Sequence, residues 1–76
     1  MKLYTGGHLT FYMPGRKPTL ELPLSEPAPL REILARVGIP LAEVALVALN
    51  GEQVEMDSAI IQDADVVRIF SSVDGG

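Results

Sequence analysis

A chain of 76 residues without cysteine has room for one small domain near the lower size limit for an unstapled core. Disulfides, zinc–thiolate sites, iron–sulfur clusters and Cys nucleophiles are excluded on this chain. The formal charge is −4, with ten acidic residues spread along the chain against six basic ones, and no basic stripe interleaves with aromatics, so nucleic acid is not an expected partner. There is no charged-then-apolar leader, and the longest aliphatic run, Val44 to Leu49, is far too short to span a bilayer, so the expectation is a soluble, cytoplasmic protein with no membrane partner.

Met1 to Tyr4 can begin a strand, which Gly6-Gly7 interrupt as a bulge or a flexible start. His8 to Met13 (HLTFYM) is expected as a strand with Leu9, Phe11 and Met13 on one face. Pro14 to Pro18 (PGRKP) reverses the chain. Thr19 to Leu24 (TLELPL) alternates, with Leu20, Leu22 and Leu24 on the buried side. Pro23 cannot donate to a ladder, which places this strand at a sheet edge and makes the pair an N-terminal hairpin.

Pro29 suits a helix's first turn, and Leu30, Ile33, Leu34 and Val37 fall at i, i+3, i+4 and i+7 with Arg31, Glu32 and Arg36 facing away. Gly38 is placed as the left-handed residue that ends a helix of about nine residues, and Pro40 stops any continuation. Val44 to Leu49 then reads as a strand, and Asn50-Gly51 is a strong hairpin signal that returns the chain as Glu52-Gln53-Val54. Ile60-Ile61 are expected to tuck under the sheet, and Asp63-Ala64-Asp65 to turn the chain into a last strand.

That last strand is Val66 to Phe70, with Val67 and Ile69 on one face and Val66, Arg68 and Phe70 on the other. Ser71 to Gly76 (SSVDGG) has nothing left to pair with, and six extended residues reach about 20 Å at ~3.3–3.6 Å each. A tail of that reach with no side chains at its tip can thread into another protein's active site. The division is therefore residues 1–70 as the folded domain and 71–76 as a Gly-Gly tail. The element order, hairpin, helix, hairpin and strand, makes an α+β domain. Its first and last strands lie parallel at the centre of a mixed sheet of four to five strands, with the one main helix across one face. That is the ubiquitin-like β-grasp.

Three stretches resemble the ThiS/MoaD family of sulfur carriers: Ala48 to Val54 (ALNGEQV), Ile61 to Gly76 (IQDADVVRIFSSVDGG) and the helix Leu30 to Gly38 (LREILARVG). The likeness covers most of the chain, weakly before Pro29 and well after Val44, and the tail looks most like the MoaD, molybdopterin synthase small-subunit, form. The sequence departs from that form in two places. Ser71-Ser72 stand where Pro-Pro is usual, and Ala64 stands where the family's turn usually has Gly, so that turn must avoid positive φ.

The resemblance implies a carrier and not an enzyme, with no catalytic residue, metal or bound cofactor of its own. A partner adenylyltransferase of the ubiquitin-activating type (MoeB/ThiF-like) would spend ATP to adenylate the Gly76 carboxylate. Sulfur would then displace AMP and leave a thiocarboxylate. A sulfur-accepting enzyme, the molybdopterin synthase large subunit or thiazole synthase, would consume it. The residues agree with this division of labour: the chain has no P-loop and no GxGxxG, so ATP has to be bound elsewhere. Gly75 and Gly76 allow close backbone approach to a nucleotide and passage through a narrow channel. Phe70, at the root of the tail on the open face, and Val73 beyond it are the candidate partner-binding residues.

Other candidates carry less. His8 is the single histidine and has no second ligand in the sequence. Asp63 and Asp65 read as a polar turn before a cation site. Asn50-Gly51 reads as a turn and nothing more. Two rival functions stand beside the carrier: a protein modifier joined through Gly76 to a lysine, and a non-catalytic β-grasp interaction module.

Overall fold

The structure, a computed structural model, describes residues 1–71. Seven strands and one α-helix are present: β1 (Lys2–Thr5), β2 (Thr19–Glu21), β3 (Ala28–Pro29), α1 (Leu30–Val37), β4 (Val44–Leu49), β5 (Glu52–Val54), β6 (Ile60–Ile61) and β7 (Val66–Ser71). Five of the strands form one sheet in the order β2-β1-β7-β4-β5, while β3 and β6 pair separately. The first and last strands lie side by side and parallel, Leu3 opposite Val67 and Thr5 opposite Ile69. On the other side β4 runs antiparallel, Val47 opposite Ile69 and Leu49 opposite Val67. This mixed five-stranded sheet crossed by one main helix is the ubiquitin-like β-grasp.

Period-2 alternation decides what faces the helix. Leu3, Val67, Ile69 and Val47 point inward and are buried, as are Leu30, Ile33 and Leu34 on α1. Fully burying a side chain of this size contributes about 1.5–3 kcal/mol, so these positions dominate the stability of so small a domain. The helix ends where Gly38 turns left-handed at φ 98°, its amide donating to the Leu34 carbonyl at 3.0 Å. The next residue, Ile39, folds back into the core, the apolar contact that accompanies such a cap. Pro29 stands just before the helix, paired with Ile60 in the small sheet, and not inside its first turn.

The N-terminal third departs from the alternation. Strand β1 begins at Lys2, and HLTFY lies in a 3-10 helix, Gly7–Tyr12, with Met13 its extended cap, instead of a strand. Leu9 and Met13 are buried, but Phe11, expected on the same face, is 60% exposed. A 3-10 helix turns every three residues, so Phe11, two residues on from Leu9, falls on a different face and is left to solvent. The hairpin partner of β2 is therefore β1, Leu3 opposite Leu20, with the helical segment inserted between them. Strand β2 is at the sheet's edge, as the proline demands, but stops at Glu21, short of Pro23. Of the isoleucine pair, Ile61 is buried and Ile60 exposed.

Candidate functional site at the end of the central strand

The centre of the sheet delivers the chain toward residues 72–76. Strand β7 runs one residue further than the alternation indicated, with Ser71 opposite Val44 across a bulge in β4, so Ser71 belongs to the sheet and not to the tail. Val73, Gly75 and Gly76 lie outside the described residues.

Two short helical segments flank this end of β7. The Gly7–Tyr12 segment leaves the end of β1 and packs against β7, and a 3-10 turn, Leu41–Glu43, leads into β4. They are joined through one carboxylate. His8 Nε2 lies 2.6 Å from Glu43 Oε1, and the Tyr12 hydroxyl donates to Glu43 Oε2 at 2.6 Å. The hydrogen bond from Tyr12, then that from His8, hold the Glu43 carboxyl below the usual glutamate range. The same bond to Glu43 raises the Tyr12 hydroxyl above its ordinary value. His8 thus has a partner that sequence spacing could not show, since Glu43 is 35 residues away.

The open face carries the apolar surface. Val67 and Ile69 are buried while Phe70 is 41% exposed, on the face and at the place the alternation assigns it. Leu46, opposite Phe70 in register, is also exposed. Toward the middle of the sheet the Arg68 guanidinium lies 4.4 Å over the ring of Tyr4, its register partner on β1. Nothing in the run VALVAL distinguished Leu46 from its buried neighbour Val47; only pairing with β7 fixes which phase faces out.

At the opposite end of β7 the acidic turn is structural. Asp63 Oδ1 accepts from the Leu24 amide at 2.8 Å, and Asp65 accepts from the Gln62 amide at 2.8 Å and from Asn50 Nδ2 at 3.0 Å. These bonds hold both carboxyls below the usual aspartate range. Ala64 keeps a negative φ, since Arg16 and Asn50 are the positive-φ residues other than glycine among those described. Asn50 does more than turn the chain, for its side chain also binds the start of β7. Among the described residues no group of three or more His, Asp or Glu could hold a metal ion, and no helix is long and apolar enough to cross a membrane.

The sequence model of the ThiS family matches residues 12–76. The chain belongs to the ThiS family. The matched span takes in α1, every strand from β2 to β7, and the Gly75-Gly76 pair. ThiS-family membership makes this a small carrier protein with a sulfur-carrier role in biosynthesis, one that works with an activating enzyme and a sulfur acceptor. A comparison with curated proteins found no match.

Proposed function

We propose that this ThiS-family chain carries sulfur as a thiocarboxylate on Gly76, made by an adenylyltransferase of the ubiquitin-activating type and consumed in building the molybdopterin dithiolene or the thiamine thiazole. The Gly76 carboxylate oxygen attacks the α-phosphorus of ATP and pyrophosphate leaves. A sulfur nucleophile then attacks the acyl carbon, AMP leaves, and the C-terminal oxygen has been exchanged for sulfur. ATP is bound by the partner; this chain contributes the acyl group and the means of presenting it.

The observation that carries this reading is the family match running through Gly75-Gly76 behind the sheet's central strand. Strand β7 is held on both sides as far as Ile69 and on the β4 side as far as Ser71. The five residues 72–76 beyond it span at most about 18 Å at ~3.3–3.6 Å each. A partner whose active site takes Gly76 must therefore rest against the surface around the end of β7, where Phe70 offers an aromatic anchor. Aromatic anchors concentrate binding energy at such surfaces. Val73 adds a second apolar contact along the tail. The working division is a folded domain through the end of β7 followed by the Gly-Gly tail.

Intact-mass analysis of the protein from its native host tests this. A C-terminus at Gly76 with sulfur in place of oxygen is the expected species. A branched peptide linking Gly76 to a lysine would make the chain a modifier, and a carboxylate that stays unmodified with ATP, sulfide and the adenylyltransferase would leave only an interaction module.

A further inference from the structure

Gly6 has an ordinary extended backbone, φ −111° and ψ 150°, a conformation open to any L-residue. Its amide donates to the Ile69 carbonyl at 3.0 Å, so it continues the β1–β7 ladder. What it cannot accept is a side chain. A Cβ there would stand 2.7 Å from Phe70 Cδ1 and 3.0 Å from Cε1, whereas its next neighbour, the Ile69 carbonyl oxygen, is at an ordinary 3.8 Å. Carbon atoms pack at about 3.5–4.0 Å. The Phe70 ring alone, then, excludes a methyl group at Gly6.

The pair continues a pattern. Arg68 leans over Tyr4 on β1, and one rung on, Phe70 leans over Gly6. The ring thereby lies against β1, and the exposed Leu46 is its register partner on β4. We infer that Gly6 is a positioning residue: a side-chain-free seat that fixes the direction of the Phe70 ring and so sets the shape of the surface the adenylyltransferase binds. The inference rests on the proposed role of Phe70 as a docking anchor. The seat works through the partly exposed ring, since the two atoms nearest the added Cβ both belong to it.

The test is a double-mutant cycle of Gly6→Ala and Phe70→Ala in the full chain, with affinity measured against the ThiF-type adenylyltransferase of the same organism. Aromatic NMR of the free protein reports the Phe70 ring. Phe70→Ala alone tests the docking reading, with an expected loss of about thirtyfold. Gly6→Ala should shift the Phe70 ring resonances and lower affinity by roughly tenfold while the melting temperature holds. In the Phe70→Ala background it should change affinity less than about twofold, because neighbours acting through one contact are not additive. Should Gly6→Ala itself destabilise the fold, Phe70→Ala must restore stability by removing the clash. Unchanged affinity in Phe70→Ala sinks the docking reading and this inference with it. A Phe70→Ala loss beside an unmoved ring or full affinity in Gly6→Ala sinks the inference alone. So does an equal Gly6→Ala loss in both backgrounds, which would place the effect in the backbone.

Discussion

The Asn50 amide donates to the Val66 carbonyl at 2.8 Å while the Val66 amide donates back to Asn50 Oδ1 at 2.9 Å, so the β4–β5 turn grips the first residue of the central strand. Asn50 does this at φ 51°, with Gly51 following at 89°, and its Nδ2 reaches Asp65 Oδ1 at 3.0 Å. The positive φ that makes a tight hairpin turn is also what aims the asparagine side chain at β7.

Asn50→Ala removes the side-chain bonds and puts a Cβ-bearing residue without local hydrogen bonding in the left-handed region, for an expected loss of about 1–3 kcal/mol. Asn50→Gly accepts the positive φ and loses only the bonds, so it should fall between wild type and the alanine variant. Urea midpoints check the ranking; a glycine variant as stable as wild type would show that the side-chain bonds contribute nothing.

Leu34→Ala empties a position with no solvent exposure between α1 and the sheet. The expected loss is ~2–5 kcal/mol, against the ~5 kcal/mol that small domains commonly have in total. Circular dichroism melts should show a variant partly unfolded at room temperature. A midpoint matching wild type would mean that the helix does not rely on this contact.

The Glu43 link gives stability a pH window. Its carboxyl is held low in the folded state, so the unfolded chain takes up the proton first. The contribution is full above the ordinary glutamate value of about 4.3 and is lost as pH falls through the lower folded value. Tyr12 titrates the other way. Its raised hydroxyl keeps its contribution below the ordinary value of about 10 and loses it as pH rises through the folded value. Glu43→Gln should narrow its stability gap to wild type on acidification below that glutamate value. Tyrosinate absorbance should place one tyrosine's ionisation later than free tyrosine in wild type and earlier in Glu43→Ala. A gap independent of pH would show that the carboxylate's charge is irrelevant to the link.

Adding one residue after Gly76, or deleting Gly76, should abolish thiocarboxylate formation with no change in melting temperature. Extension moves the reacting carboxylate by ~3.5 Å, and misplacement by ~1 Å can already lower a rate about a hundredfold. Gly75→Val should act in the same direction but less completely, through bulk and a restricted backbone. The assay is intact mass after incubation with adenylyltransferase, ATP and a sulfur donor. Thiocarboxylation of the extended chain at the native rate, without prior trimming, would end the carrier reading.

The helix was legible because Leu30, Ile33 and Leu34 repeat at one period between a proline and a glycine that both act as stops. Strand β7 was legible because Val67 and Ile69 alternate with Arg68 and Phe70, and the Asn50-Gly51 turn because few other dipeptides tolerate two successive positive φ angles. HLTFYM misled because Leu9, Phe11 and Met13 satisfy a period of two, while the chain there turns every three residues and leaves Phe11 outside. The signals against a strand were Gly6 and Gly7 at its start and Pro14 after it. The rest of the site was out of reach for a different reason. Gly6 beneath Phe70, Glu43 between His8 and Tyr12, and Asn50 against Val66 are contacts between distant stretches of chain, and no local period encodes them.

The sheet order also dictates a timetable. Of the seven strands, β7 is the last to leave the ribosome, yet it is the only one that bonds to both β1 and β4. Without β7, strand β1 keeps only β2 as a partner and β4 only β5, each with an unpaired inner edge. Closure requires Val67 to find Leu3 across nearly the whole length of the chain, the kind of distant pairing that slows folding. Completion of the fold therefore waits on the strand that leads to the tail, and a truncated chain lacking that strand has no finished surface to offer an activating enzyme.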